Sequence, residues 1–290
     1  MPSTRKYSLY VLLALAFIAF SLATYVMPLH NGNGDKLKIS FLYIGQGDAI
    51  YIEAPNGRQM IIDGGPEGSL MPALAPILPY GDKSIDVILN TNPDADHYAG
   101  FLDLLKTYAV GTEIESGVPS DTKTYAEFES LLKEKHIPQI VARKGMHVIL
   151  DEARNISYDV LFPDRDVTGW THNDASVVGR LHYGDTTVML TGDGTIKTES
   201  LVLADNPLAD IQSDILKVGH HGSRTSTSDA FLNAVQPMYA VISAGKNNRY
   251  GHPHKEVTDR LAAHSIQTLV TKDVGTVTFE TDGVTLKRIQ

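Results

Sequence analysis

The chain contains no cysteine. Disulfides are excluded, and so are thiolate metal ligands; any bound metal must rest on His, Asp, Asn or water. A cysteine-free chain fits an oxidising compartment without requiring one. A basic excess is also missing: 25 Lys and Arg stand against 34 Asp and Glu, a formal charge of −9. Without Arg5 and Lys6 the balance is 23 to 34, or −11. This is not the basic field of a typical DNA-binding protein, so contact with nucleic acid would need positive charge local to a site. Repeats, low-complexity tracts and, past residue 36, Pro/Ser-rich linkers are lacking as well. The chain therefore divides most simply into a segment 1–36 and one domain, 37–290.

One long apolar run is present. Tyr7 to Leu29 carry no charge over 23 residues, enough to cross a bilayer. Arg5-Lys6 before the run and Asn31-Gly-Asn-Gly-Asp35 after it predict an N-terminus inside and a domain outside. Ser21-Leu22-Ala23 has the small-residue spacing of a cleaved signal peptide, but apolar sequence continues through Tyr25-Val26-Met27, which favours an uncleaved anchor. Either way the domain is expected outside the cytoplasm, as a single-pass membrane protein or a secreted one.

The most informative stretch is Asn92-Pro93-Asp94-Ala95-Asp96-His97, after the apolar Val87-Ile88-Leu89 and before a helical pattern. Two carboxylates, an imidazole and an amide at a strand end can point at one spot, where the carboxylates repel unless a cation sits between them. Taken alone, an Asp-rich turn that satisfies its own backbone explains these residues equally well. Three further strand ends or loops carry Asp or His beside Gly: Thr191-Gly192-Asp193-Gly194, Lys217-Val218-Gly219-His220-His221-Gly222-Ser223 and Gly251-His252-Pro253-His254. Ligands drawn from several separate loops are how rigid sheets build metal sites.

Alternation and β-branching predict strands over 37–44, 49–54 and 60–62, the last ending at Asp63-Gly64-Gly65, and short strands between 147 and 288. Helical periodicity predicts helices near 98–107, 121–136, 195–203, 228–235 and 255–264. Early hairpins followed by interspersed helices imply layered sheets and helices rather than a purely parallel wound sheet.

Six pieces together resemble the metallo-β-lactamase superfamily, and within it the extracytoplasmic domain at the end of ComEC-type competence proteins. They are Ile44–Ala49 (IGQGDA), Ile62–Gly65 (IDGG), Asn92–His97, Thr191–Asp193, Leu216–Ser223 (LKVGHHGS) and Lys246–His254 (KNNRYGHPH). The resemblance implies an α/β, layered αββα sandwich with a metal site at one edge and a role in hydrolysing DNA during uptake. It implies Asp96 and His97 as ligands of one metal, Asp193 as a ligand bridging two, and Asn92 and Asp94 facing the other. Adjacent side chains should diverge, so one of His220 and His221 is expected to bind metal; the sequence does not say which, and His220 is favoured. One or two divalent ions follow, Mn²⁺ or Zn²⁺, with Mg²⁺ a further candidate. Asn92 stands where the family's loop starts with His, and a neutral amide oxygen leans the first position toward hard cations.

Catalytic roles fall on Asp96, Asp193 and His254, which is placed to donate to a leaving oxygen or fill a metal position. Ser223, Arg224 and Thr225 offer donors for a phosphate. Asn173 and Ser176 match a polar family position, and Lys246, Arg249 and His252 form the basic cluster near a motif. Asp63 and Asp48 read either as turn formers or as supports of a ligand histidine. His30, His136, His147, His172, His182 and His264 read as surface or core histidines. Family members carry a multi-helix channel and this sequence has at most one span, so DNA, the membrane and a separate channel protein are the expected partners. Two other functions fit the same residues: a hydrolase of a small ester, lactone or phosphodiester, and a non-catalytic DNA-capture module with a decayed site.

Overall fold

The computed structural model describes residues 34–290. The expected membrane segment lies outside them, and no helix among the described residues is long and apolar enough to cross a membrane. Among the described residues fifteen strands form two sheets. The first contains β1 (Leu37–Phe41), β2 (Ala49–Glu53), β3 (Gln59–Gly64), β4 (Ser84–Asn90), β5 (Ala109–Glu115), β6 (Gln139–Val141), β14 (Val277–Thr281) and β15 (Leu286–Arg288), in the order β15-β14-β1-β2-β3-β4-β5-β6. The second contains β7 (His147–Asp151), β8 (Ile156–Phe162), β9 (Val178–Tyr183), β10 (Thr186–Leu190), β11 (Ile215–Lys217), β12 (Tyr239–Ile242) and β13 (Gln267–Val270), in the order β13-β12-β11-β10-β9-β8-β7.

Strand periodicity explains the layering. Successive side chains leave a strand on opposite faces, and here both faces are covered. Ile50 and Ile52 of β2 enter the core between the sheets, with Met60, Ile62, Leu181, Val188 and Phe279. Tyr51 of β2 and Ile61 of β3 point outward instead, beneath α3 (Phe101–Thr107) and α4 (Lys123–Glu134), whose Phe101, Leu104, Phe128 and Leu132 cover them. On the far side Leu216 and Ile242 pack under α5 (Ile196–Asp205), α7 (Asp229–Val235) and α8 (Lys255–Ala263) through Val202, Phe231 and Val257. The result is four layers, helix–sheet–sheet–helix. Short helices α1 (Leu70–Leu74), α2 (Ala95–Tyr98), α6 (Leu208–Ile211) and α9 (Thr271–Val274) fill connections.

The expected elements are present; besides the unexpected short helices α1, α6 and α9, two differences stand out. The pattern near 98–107 is two helices, α2 and α3, separated by Gly100. A side chain at Gly100 would meet the Gly64 carbonyl oxygen at 1.9 Å, so the chain presses onto β3 there and the helix breaks. Strands β5 and β6 were not expected. β5 carries Gly111, Thr112, Glu113 and Glu115, too polar to read as a buried strand, yet it pairs in parallel with β4 and β6.

Strands β3 to β6 run parallel, as do β10 to β13. The carboxyl ends of β3, β4, β10, β11 and β12 therefore open toward one edge, where loops following parallel strands gather side chains of different origin. All four motif loops begin or end there.

Candidate metal centre

Asp63 sits at the end of β3 with a left-handed φ of 59°. Its carboxylate accepts from the Thr91 N–H and hydroxyl, both at 2.8 Å, and from Nδ1 of His97 at 2.8 Å. The proton of His97 is thereby fixed on Nδ1, and Nε2 faces Asp193 Oδ2 at 3.2 Å. A carboxylate behind a histidine is the usual way to hold a ligand imidazole in one tautomer.

His221 approaches from the 3-10 turn Gly219–Gly222. Its Nδ1 lies 3.1 Å from the Ser243 carbonyl and 3.4 Å from Asp48. Its Nε2 lies 3.5 Å from Asp96 and 3.4 Å from Asp193. One ligand atom from each of Asp96, His97 and His221 falls within 4.8 Å of the others, and the same holds for Asp48, His97 and Asp193. Gly192 makes the approach possible: a side chain on it would meet Thr91 Cβ at 2.8 Å.

His220 and His221 both adopt left-handed backbone, φ 48° and 53°. Two consecutive residues in that conformation cost energy and persist where the surroundings hold them. Their rings do not diverge as expected: the centroids are 6.2 Å apart and both face Asp193. His221, not the favoured His220, is the buried member of the cluster. His220 stays at the rim, 3.7 Å from Asp193 and bonded to Thr225 Oγ1 at 3.0 Å.

The electrostatics are those of a charge-paired pocket. Burial disfavours a charge on His97, but Asp193 and Asp63 outweigh it and hold its pKa well above the usual range. Burial acts on His221 the same way, and Asp193 and Asp48 lift it to about 10. Asp193 feels burial pushing it up and is nevertheless held well below the ordinary value by His221, His97 and Lys217. Asp48, likewise buried, is drawn to about 2 by Lys217 and His221. Nε2 of His97 and of His221, Oδ1 of Asp193 and Nδ1 of His252 are buried without a well-formed hydrogen bond. The two Nε2 atoms face Asp193 Oδ2 at 3.2 and 3.4 Å, and imidazole nitrogens converging on a carboxylate oxygen are the donor set of a divalent ion. Imidazoles and carboxylates are present together, so the residues fit such an ion.

The cluster floors a cleft of about 400 Å³ lined also by Gln46, Asn173, Arg249 and Tyr250. A neighbouring hollow of about 500 Å³ shares Gln46, Asp96, Arg249 and Tyr250. The larger hollow of about 730 Å³, beside α4, is lined by Glu115, Tyr125 and Glu129 and offers no imidazole. Ligand chemistry therefore belongs to the smaller cleft.

A model of the metallo-β-lactamase superfamily matches residues 42–246. The chain belongs to the metallo-β-lactamase superfamily. It is 32% identical over 275 residues to ComE operon protein 3 of Bacillus subtilis, covering 88% of this chain and 34% of that one. It is 29% identical to competence protein ComA of Neisseria gonorrhoeae and 31% identical to recombination protein 2 of Haemophilus influenzae, covering 81% and 77% of this chain and 31% and 26% of those. This chain thus spans about a third of the length of the curated relatives it matches. Among solved structures, the metallo hydrolase Igni18 of Ignicoccus hospitalis superposes with a TM-score of 0.55 at 15% identity, over 84% of this chain and 99% of that one. CmlA beta-hydroxylase superposes at 0.53 and 13% identity, over 83% and 53%. The superfamily fold thus carries more than one chemistry, and only the site can choose between them.

Not every anticipated residue reaches the centre. Asn92 is fully buried; its Oδ1 accepts from the Asp94 N–H at 3.0 Å and its Nδ2 faces Ser176 and Thr91 at 3.4 Å. It forms the self-satisfying turn rather than facing a metal. Asp94 engages Nδ1 of His172 at 2.7 Å, so His172 is part of the site's surround and not an incidental histidine. Ser176 is fully buried behind Asn92, away from any substrate. Ser223 is buried and accepts from Thr225 within its own loop. Arg224 points its guanidinium at Glu256, 3.7 Å away, and donates its backbone N–H to Nδ1 of His254 at 3.0 Å. That bond leaves the His254 proton on Nε2. Asn173 reaches His220 at 3.4 Å. Lys246 and Arg249 are exposed, and Arg249 bonds the Tyr250 hydroxyl at 2.6 Å.

His252 is buried, with its ring stacked on Tyr250 at 5.5 Å and 5.6 Å from the ring of His220. Burial and the imidazoles of His221 and His220 bring its pKa to about 4. It packs beside the imidazoles of His220 and His221 rather than on the outer rim. Lys217, fully buried, belongs to one of the motif pieces but carries no role in the sequence reading. The available signal was a charge at the end of an apolar, parallel strand, a place lysine occupies only with a partner.

Proposed function

We infer that this chain is a metal-dependent phosphodiesterase that acts on DNA outside the cytoplasm in the course of DNA uptake. The observation that carries the reading is the convergence of His97, His221, Asp96 and Asp193 in an open cleft whose rim holds Arg249. The competence-protein relatives supply its biological direction. His97, His221, Asp96 and Asp193 would hold the ion, with His252 at its edge. A divalent ion there would supply Lewis acidity and an activated water.

The chain's own groups do the remaining work. Asp63 orients His97, and the paired charges of the floor keep the carboxylates ionised. Arg249 offers a guanidinium to a phosphate. His254 carries a proton on Nε2 that a leaving oxygen can take. An N-terminal membrane anchor and a separate channel protein complete the proposal; DNA is the substrate.

The small cleft and the acidic surface favour a second reading, hydrolysis of a small ester, lactone or phosphodiester. A nuclease assay of the purified chain with Mn²⁺, Mg²⁺ or Zn²⁺ separates the two. Cleavage of single- or double-stranded DNA that Asp193→Ala abolishes while circular dichroism stays native supports the first. Metal binding and ester hydrolysis with DNA left intact would replace it with the second. No metal binding at all would leave only a DNA-capture module.

A further inference from the structure

The floor of the site has two places where a cation fits, and one is already taken. Ligand atoms of Asp48, His97 and Asp193 converge within 4.8 Å, as do those of Asp96, His97 and His221. The side-chain nitrogen of Lys217, fully buried, stands between two members of the first group, Asp48 and Asp193. It makes an ion pair with Asp48 Oδ2, donates to the Gly192 carbonyl at 2.9 Å and stands 3.9 Å from Asp193 Oδ1. Two carboxylates and a carbonyl around one point are the oxygen ligands of a hard cation. Here an ammonium on a tether occupies the point.

The opposite flank is closed too. The resemblance places a second ion against Asn92 and Asp94, yet the Asn92 oxygen accepts from the Asp94 N–H and the Asp94 carboxylate engages His172. Neither side chain is free to turn inward without breaking these bonds. At the second place Nε2 of His97 and of His221 make no well-formed hydrogen bond to the protein.

We propose that this centre holds a single divalent ion, at Asp96, His97, His221 and Asp193, and that Lys217 is a positioning residue that serves as a built-in second cation. Its ammonium bridges Asp48 and Asp193 and holds them together. An acidic pocket of this kind would otherwise be self-repelling when empty. The proposal rests on the metal-centre reading above, and its failure is distinguishable from that reading's.

The test is metal stoichiometry in the full chain, by native mass spectrometry and elemental analysis after Mn²⁺ loading and gel filtration, alongside melting curves. The native chain should retain one Mn²⁺. Lys217→Ala empties the oxygen-lined point, so it should retain two, and added Mn²⁺ or Mg²⁺ should raise its melting temperature more than that of the native chain. Lys217→Met fills the space without charge and should retain one, with no extra response. Two ions in the native chain would overturn the proposal even if Lys217→Ala cannot be recovered folded. A folded Lys217→Ala that behaves as Lys217→Met would also overturn it. Zero ions in the native chain would instead remove the metal centre itself.

Discussion

The Nδ1–H of His97 donates to Asp63 Oδ2 at 2.8 Å, so a residue at the end of β3 decides which nitrogen of a histidine on α2 faces the metal position. Asp63 is buried behind the site. Its effect travels through the tautomer of one ring. Asp63→Asn keeps the shape but can turn its amide to either neighbour, so metal affinity should fall by roughly 10–100-fold with the fold intact. Competition against a fluorescent chelator measures it. Unchanged affinity would make Asp63 a turn former only.

Asn92→His should not create a metal position. The side chain is fully buried and its oxygen is committed to the Asp94 N–H, so a larger ring overpacks the loop at a cost of about 1–3 kcal/mol. The expected outcome is a lower melting temperature with metal content unchanged. A second bound ion would show that the loop can turn its side chain inward.

His252→Ala should weaken metal binding by at least about tenfold, the size of effect expected even for groups one bond removed from a metal. The buried, unpartnered Nδ1 beside His220 and His221 motivates this. If metal affinity holds and DNA affinity drops instead, His252 serves the substrate.

Metal binding should release protons. Without metal, Asp193 and Asp48 keep His221 protonated up to about pH 10 against the opposing effect of burial, and His97 is raised in the same sense. A ligand nitrogen must lose its proton, so affinity should climb as pH rises toward 10, with up to about two protons released near neutrality. Titration calorimetry in two buffers of different ionisation enthalpy reads this directly. Equal heats in both would contradict the arrangement of charges described.

Stability should fall with pH through a residue remote from the metal. Burial, with Glu115 and Glu129 nearby, lifts the fully buried Glu113 from 4.5 to about 9. The unfolded chain loses this proton near 4.5 while the folded chain keeps it to about 9. Across that window the folded state binds more protons, so raising the pH favours unfolding. Glu113→Gln removes the slope and should raise the melting temperature at pH 8, by roughly 2–4 °C for each kcal/mol recovered. A lower melting temperature with the slope retained would refute this.

By itself the sequence determined which segments carry chemistry. Asp and His beside Gly at the ends of apolar runs are a local pattern, and Asp96, His97, Asp193 and His221 could be read from it because each follows or opens an element. The strands of the two sheets were largely legible for the same reason: Ile50-Tyr51-Ile52 and Val188-Met189-Leu190 are continuous and apolar, as strands buried on both faces must be. Strand β5 was not legible, because Glu113 is kept neutral only by a burial that no local pattern shows. Only the tertiary structure decided which of two adjacent histidines faces inward, since that depends on two consecutive left-handed residues. It alone turned Asn92 back onto its own loop, joined Asp94 to His172 and brought Lys217 to Asp48. Those pairings span up to 169 positions between Asp48 and Lys217, and a side chain's direction across such a distance is set by how the sheets stack, which spacing along the chain does not encode.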